Sequence, residues 1–345
     1  MELKEYPSEY GTITHITLEN AGGAKVTLST LGAGIVSVIV PDGDGNMDDV
    51  VLGYKDPAAW MADGPCAGKI PGRYANRIAK GRFSIDGEEY SLAINNGPNA
   101  LHGGPTGFQN RIWELVEADD RKVVMEYRSA DGEEGYPGNL TARATYTWSD
   151  ANALTLKMEA ESDKPTVVNL TNHAYFNLAG HDSGSVLDHV LWLNASRYLP
   201  TDDTLIPLPG EPAPVKGTPM DFTSRKPIGE DIKADFPALK YGKGYDNCWV
   251  IDREEPGEMV IAAELGDLKT GRILTVSTTQ PGVQVYTGNW LEGCPESKSG
   301  TEYHDYDGVA IECQAFPDAP NRPDFPSTLL RPGEKYEQTI EFRFH

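Results

Sequence analysis

The segment Val309-Ala-Ile-Glu312-Cys313 reads as a buried strand with a carboxylate set into it. Glutamate is disfavoured in strand interiors. Burying its carboxylate without partners costs several kcal/mol or raises its pKa. Glu312 is therefore a candidate for proton transfer, with a structural ion pair as the rival role. Two imidazoles supply possible counterparts: His102 in Leu101-His102-Gly103-Gly104, and His173 in Asn169-Leu-Thr-Asn-His173-Ala-Tyr175-Phe-Asn177-Leu178. Either histidine alone is more often a surface or structural donor. Three further polar clusters lie beside apolar strands. They are Asn76-Arg77 within Pro71–Ile78, Gly244-Tyr-Asp246-Asn247, and Gln280-Pro-Gly-Val-Gln284-Val-Tyr286. Together they offer carboxylates, imidazoles, a guanidinium and amides, interleaved with Tyr175, Phe176, Trp249 and Trp290. Such a set suits a neutral, polyhydroxylated ligand, whose hydroxyls want acceptors and amides and whose C–H faces stack on aromatic rings.

The elements that must position these groups are strands. In Leu140–Trp148 the residues Leu140, Ala142, Ala144, Tyr146 and Trp148 alternate with Thr141, Arg143, Thr145 and Thr147. After the turn at Ser149–Asn152, Leu154, Leu156, Met158 and Ala160 alternate with Thr155, Lys157, Glu159 and Glu161. This period of two predicts an antiparallel hairpin with one buried face. The C-terminus repeats it, with Tyr336, Ile340, Phe342 and Phe344 on one side. Further strands are expected at Thr12–Leu18, Lys25–Ser29, Ile35–Pro41, Val123–Arg128, Val167–Thr171, Val190–Asn194, Ile273–Thr278, Val283–Tyr286 and Val309–Cys313. One short helix is expected, capped by Asp56 with Pro57 at its first position and Ala58–Ala62 following. Strands run from residue 12 to residue 344 without a break in composition. The expectation is one all-β domain over residues 1–345, a large antiparallel sandwich or distorted barrel.

Composition narrows the ligand. Across 345 residues, 30 basic against 52 acidic residues give a net charge of −22. That field repels nucleic acid and anionic lipid and penalises phosphorylated substrates. Four scattered cysteines (Cys66, Cys248, Cys294, Cys313) without a C-x-x-C pair support neither a zinc site nor a disulfide framework. Asp42–Asp48 resembles the start of a calcium loop but has Met47 at the sixth position and Gly53 at the twelfth, so a hairpin turn is expected. Phosphate-loop, dinucleotide, zinc-protease and esterase signatures do not occur. No apolar run approaches about 18 residues, and Met1-Glu-Leu-Lys lacks signal-peptide character. A cytoplasmic location is expected, and no membrane or nucleic-acid partner.

At its polar clusters the chain resembles the aldose 1-epimerase (galactose mutarotase) family over nearly its whole length. Asn76-Arg77-Ile78, Leu101-His102-Gly103-Gly104, Thr171–Leu178, Gly244-Tyr-Asp246, Thr279–Asn289, Glu312-Cys-Gln314 and Leu330-Arg-Pro-Gly-Glu334 stand in the family's order. The resemblance implies a β-supersandwich with an open sugar cleft, no metal or organic cofactor, and a monomer or weak homodimer. It implies Glu312 as the base on the C1 hydroxyl and His173 as the acid on the ring oxygen O5, the two flanking a pyranose from opposite sides. Asn76, Arg77, His102, Tyr175, Asp246 and Gln284 become expected substrate-binding residues. Asn247, Tyr306 and Phe316 stand where the family commonly has other residues, which bears on sugar preference and not on reaction type. Rival functions are a non-catalytic carbohydrate-binding or sensor protein of the same fold, or a glycoside hydrolase using Glu312 and Asp246 as paired carboxylates.

Overall fold

The computed structural model describes residues 1–345. Its central sheet has nine strands in the order Glu114–Ala118, Lys122–Ser129, Leu140–Trp148, Ala153–Ser162, Tyr336–Phe344, Ile273–Thr278, Val260–Gly266, Val190–Leu193 and Lys226–Pro227. The expected hairpin forms its middle, with Leu140 opposite Ser162 and Trp148 opposite Leu154. Alternation explains the register: Ala142, Ala144, Tyr146, Leu154, Leu156 and Met158 are all buried, whereas Thr141, Arg143 and Thr147 are exposed. A one-residue slip would turn the buried set to water. The C-terminal strand pairs with this hairpin, Phe342 opposite Leu154, and so closes the chain's end into the middle of the sheet.

A five-stranded sheet built from the first 49 residues packs on one part of this layer. Tyr146 donates its hydroxyl to Ala33 O at 2.7 Å and Trp148 donates its indole N–H to Ala24 O at 3.2 Å. The third sheet carries the site. Its strands run Tyr175–Phe176, Val309–Gln314, Gly282–Tyr286, Asp246–Val250, Arg197–Tyr198 and Ala213–Pro214. Val309, Ile311, Cys313, Val283, Val285 and Trp249 enter the common apolar core. Period two then directs Glu312, Gln284 and Asp246 to the opposite face.

Several expectations need correction. The Asp56–Ala62 segment is a single 3₁₀ turn, Pro57–Trp60, capped by Asp56 Oδ1 accepting from Ala58 N–H. The one α-helix is Pro237–Gly242, which begins at a proline but lacks any side-chain cap. The Val167–Thr171 strand shrinks to Thr166–Val167, because the following residues spend their hydrogen bonds on the site loops. Trp249 and Phe176 point into the core and not to the ligand side. The Asp42 turn joins Gly34–Pro41 to Met47–Asp49, with Asp42 Oδ1 accepting from the N–H groups of Asp44 and Asn46. No helix is long and apolar enough to cross a membrane.

Candidate active site

Four segments converge on the outer face of the third sheet. The Arg77–Ile78 and Ala100–Leu101 strands pair, Arg77 opposite Leu101, which sets Asn76 and His102 side by side. Both adopt left-handed backbone, φ 66° at Asn76 and 52° at His102. Asn76 N–H donates to His102 Nδ1 at 3.1 Å and His102 N–H donates to Asn76 O at 3.1 Å. A ring nitrogen that accepts must lack a proton, so His102 carries its proton on Nε2. Burial, then the neighbouring His173 and Arg77, depresses His102 well below the ordinary imidazole range. It is a fixed neutral donor.

The asparagine-rich run before His173 works as stitching. Asn169 donates to Ala75 O at 3.0 Å and accepts Ala315 N–H at 2.9 Å, tying the Asn76 loop to the end of the Glu312 strand. Thr171 Oγ1 donates to Cys313 O at 2.7 Å, and Asn172 donates to Gly68 O at 2.6 Å. His173 itself is clamped through its backbone, its N–H to Lys69 O and its C=O from Gly68 N–H, both at 2.9 Å. Beneath that loop Lys69 and Asp63 form a buried ion pair, Nζ to Oδ1 2.7 Å. Asp63 also accepts from Cys66 N–H, Ala67 N–H and Tyr54 OH, so the wall at Gly64-Pro65 is held from below.

These supports bring His173 Nε2 to 3.5 Å from Glu312 Oε1. The two groups therefore stand side by side, and not on opposite faces of a pyranose as the sequence reading anticipated. Two oxygens on one carbon, such as O1 and O5 on an anomeric C1, present the same side-by-side geometry. Burial pushes Glu312 well above the usual carboxylate range, with Asp246 adding to the rise and Arg77 opposing it. Burial lowers His173 to about 4. Neither group holds a lone charge comfortably, so the pair shares one proton between those limits.

Around the pair lies a polar clamp. Asp246 accepts from Arg77 Nη2 at 3.2 Å and from Gln284 Nε2 at 2.6 Å. Arg77 Nε donates to Asn96 Oδ1 at 2.9 Å. Tyr175 contributes a wall: its hydroxyl is spent on Pro65 O at 2.9 Å, and its ring packs 5.0 Å from the His173 ring. All of these groups except Gln284 line one open cleft of about 640 Å³, with Trp290 and Tyr241 on its rim. Trp290 is 65% exposed and carries Lys243 Nζ 4.1 Å over its ring. Gln284 reaches the cleft through Asp246. Sequence reading did not single out Asn96 or Tyr241; nothing distinguishes Asn96 from its turn neighbours except the guanidinium it meets.

Ligand atoms of His102, His173 and Glu312 all lie within 4.8 Å of one another, close enough to consider a metal. The hydrogen bond at His102 Nδ1 argues otherwise, because it fixes the proton on the nitrogen that would have to coordinate. Of the three departures from the family pattern, Phe316 packs edge-on to Phe325 at 5.1 Å and Tyr306 donates its hydroxyl to Lys243 O at 2.6 Å. Asn247 is 1% exposed and its amide has no hydrogen-bond partner.

The model of the family described as aldose 1-epimerase matches residues 14–343. This chain belongs to the aldose 1-epimerase family. It is 42% identical to human galactose mutarotase over 340 residues, 99% of this chain and 96% of that protein. It is 41% identical to aldose 1-epimerase of Escherichia coli K12 over 332 residues, 95% and 94% of the two chains. Among solved structures, an aldose epimerase homologue from C. elegans superposes with a TM-score of 0.88 at 33% identity, covering 96% of this chain and 98% of that one. Galactose 1-epimerase from Lactobacillus acidophilus gives a TM-score of 0.86 at 29% identity, covering 100% and 98%. The fold is thus all-β, as the strand pattern led one to expect, and galactose mutarotase-like, as the resemblance implied.

Proposed function

We propose that this chain is an isomerase that interconverts the α and β anomers of a free aldose of the galactose or glucose type, with Glu312 and His173 as its proton-transfer pair. The observation that carries the reading is their 3.5 Å approach on the floor of an open, polar cleft. Opening a cyclic hemiacetal moves one proton off O1 and one onto O5. In the charge-separated form of the pair, Glu312 takes the O1 proton as His173 Nε2–H gives one to O5, and the C1–O5 bond breaks. Rotation about C1–C2 in the aldehyde and reclosure with reversed proton transfers deliver the other anomer, and the pair regains its starting state. Each positioned transfer is worth roughly 10²–10⁴-fold.

The donors His102 Nε2–H and Arg77 are suited to steady charge developing on O5. Asp246, held by Arg77 and Gln284, offers acceptors for sugar hydroxyls. The two donors held by Asp246 favour a binding carboxylate over a hydrolase role. We read residues 1–345 as one functional unit, cytoplasmic, monomeric or weakly dimeric, and working without metal or organic cofactor. Polarimetry of freshly dissolved α-D-galactose tests the activity: decay of rotation faster than in buffer supports it, and an unchanged rate with folded protein refutes it.

A further inference from the structure

Three side chains share the ligand side of the paired strands Gly282–Tyr286 and Val309–Gln314. Gln284 lies directly opposite Glu312, and Gln314 follows Glu312 by two residues, opposite Gly282. All three are almost fully buried, with Gln314 at 0%. Yet neither atom of the Gln314 amide meets a protein partner, and Glu312 Oε2 and Gln284 Oε1 are equally unmatched. Four buried polar atoms without partners on adjacent positions are not chance neighbours, because each would otherwise bear its full desolvation penalty. The other polar groups at this end of the strand are committed elsewhere. Asn169 serves Ala75 and Ala315, Thr171 serves Cys313, and Tyr74 OH donates to Phe316 O. Gly282, across from Gln314, offers no side chain, and the space beside it is closed by apolar and thiol groups that leave the Gln314 amide no other polar partner. A Cβ on Gly282 would meet Cys248 Sγ at 2.8 Å and the Phe316 ring at 3.0 Å.

We propose that Gln314 is a positioning residue for the base: its Nε2–H holds Glu312 Oε2 through one bridging water. Residues two apart on a strand lie about 6–7 Å apart along it, which a glutamine side chain and one water span. With Oε2 held, Oε1 is the oxygen left beside His173 to take the sugar's proton. An amide is the right group for the task, since it orients a carboxylate and favours its ionised form without adding charge. The inference rests on Glu312 being the base.

The groups facing Glu312 from surrounding elements are Asp246, Arg77, His173, His102, Tyr175, Cys248 and Cys66. Cys313, next to Glu312 in sequence, adds to them, and a substitution at position 314 leaves every one of these residues in the chain. In Gln314→Met the carboxylate loses its donor. We expect kcat for galactose to fall about tenfold, KM to stay within about twofold, and the alkaline limb of the pH profile to move up by about half a unit or more. In Gln314→Glu a protonated carboxyl can donate in the amide's place, so the rate recovers on the acid side of the profile alone. A folded Gln314→Met variant with wild-type kcat and pH profile overturns the proposal. Should that variant not fold, a high-resolution crystal structure of the unmodified protein decides. A water bonded to Gln314 Nε2 and within about 3.2 Å of Glu312 Oε2 supports the proposal, and a Gln314 amide bonded only elsewhere refutes it. Glu312→Gln is measured in parallel: if that variant keeps full activity, the assignment of the base has failed, and not merely its support.

Discussion

Glu312 and His173 come from a strand centre and a loop clamped to that strand, and their almost fully buried side chains meet at 3.5 Å on the floor of the open cleft. That approach makes them one chemical unit. Removing either partner is expected to lower kcat by about 10²–10⁴-fold. Glu312→Gln combined with His173→Asn should be little worse than the weaker single variant, because groups acting together are not additive. Steady-state polarimetry of the three variants checks this; independent, multiplying losses would argue for separate roles.

The shared proton predicts a pH profile. Below about 4, His173 gains its own proton while Glu312 is still protonated, and no base remains. On the alkaline side the pair loses its proton as pH rises through the elevated pKa of Glu312, and no acid remains. The profile of kcat/KM should therefore be bell-shaped, with its acid limb near 4 and its alkaline limb above the ordinary carboxylate range. A single acid limb with a flat alkaline side would contradict it.

How much of this was legible beforehand differs between fold and site. The hairpin at Leu140–Ala160 and the C-terminal strand were plain, because one face of each is buried and the other wet. Asp246–Val250 was not read as a strand: Asp-Asn-Cys-Trp-Val lacks alternation, since Asn247 is buried in spite of its polarity. Glu312 betrayed itself as a carboxylate in an apolar strand. Asn169, Thr171 and Asn172 stood in a polar cluster with no role of their own assigned, and their side chains bond to backbone carbonyls and N–H groups. Composition cannot separate such bonds from ligand contacts, because both need the same donors. The relative placement of acid and base was likewise beyond the sequence, being set by backbone bonds from Gly68 and Lys69 to His173.

A carboxyl whose folded pKa is raised stabilises the native state least where it must ionise. In the folded chain Glu312 holds its proton to higher pH than in the unfolded chain. Its contribution is fully present below the unfolded value near 4.5 and is lost as pH rises through the folded value. Glu312→Gln should therefore stabilise the protein at pH 8, by about 1–2 kcal/mol, and do nothing comparable at pH 4. Urea unfolding at both values measures it. A variant destabilised at pH 8 would show that the carboxylate is already well compensated.

The buried Lys69–Asp63 pair under the cleft wall makes a different prediction. Lys69→Met leaves Asp63 without its cation and should cost about 3–5 kcal/mol. Because the same loop bonds the His173 backbone, the surviving folded protein should also lose kcat. Thermal melts and polarimetry on one preparation separate the two effects. Unchanged stability would mean that Tyr54 OH and the N–H groups of Cys66 and Ala67 suffice for Asp63.

Asp246 is held by Arg77 and Gln284, a clamp suited to ground-state binding. Asp246→Asn and Gln284→Leu should raise KM for galactose by about tenfold with smaller effects on kcat. Loss confined to kcat would move Asp246 into the proton-transfer chemistry.

Which bond at C1 breaks is the sharpest question for the account. α-D-Galactose labelled with ¹⁸O at O1 can be followed through enzymatic conversion to the β-anomer by mass spectrometry. Proton transfer from O1 to Glu312 and onto O5 from His173 opens the ring at C1–O5, so the product should keep the label through many turnovers. Rapid loss of label to water, in step with anomer exchange, would mean cleavage of the C1–O1 bond and would contradict the assigned roles.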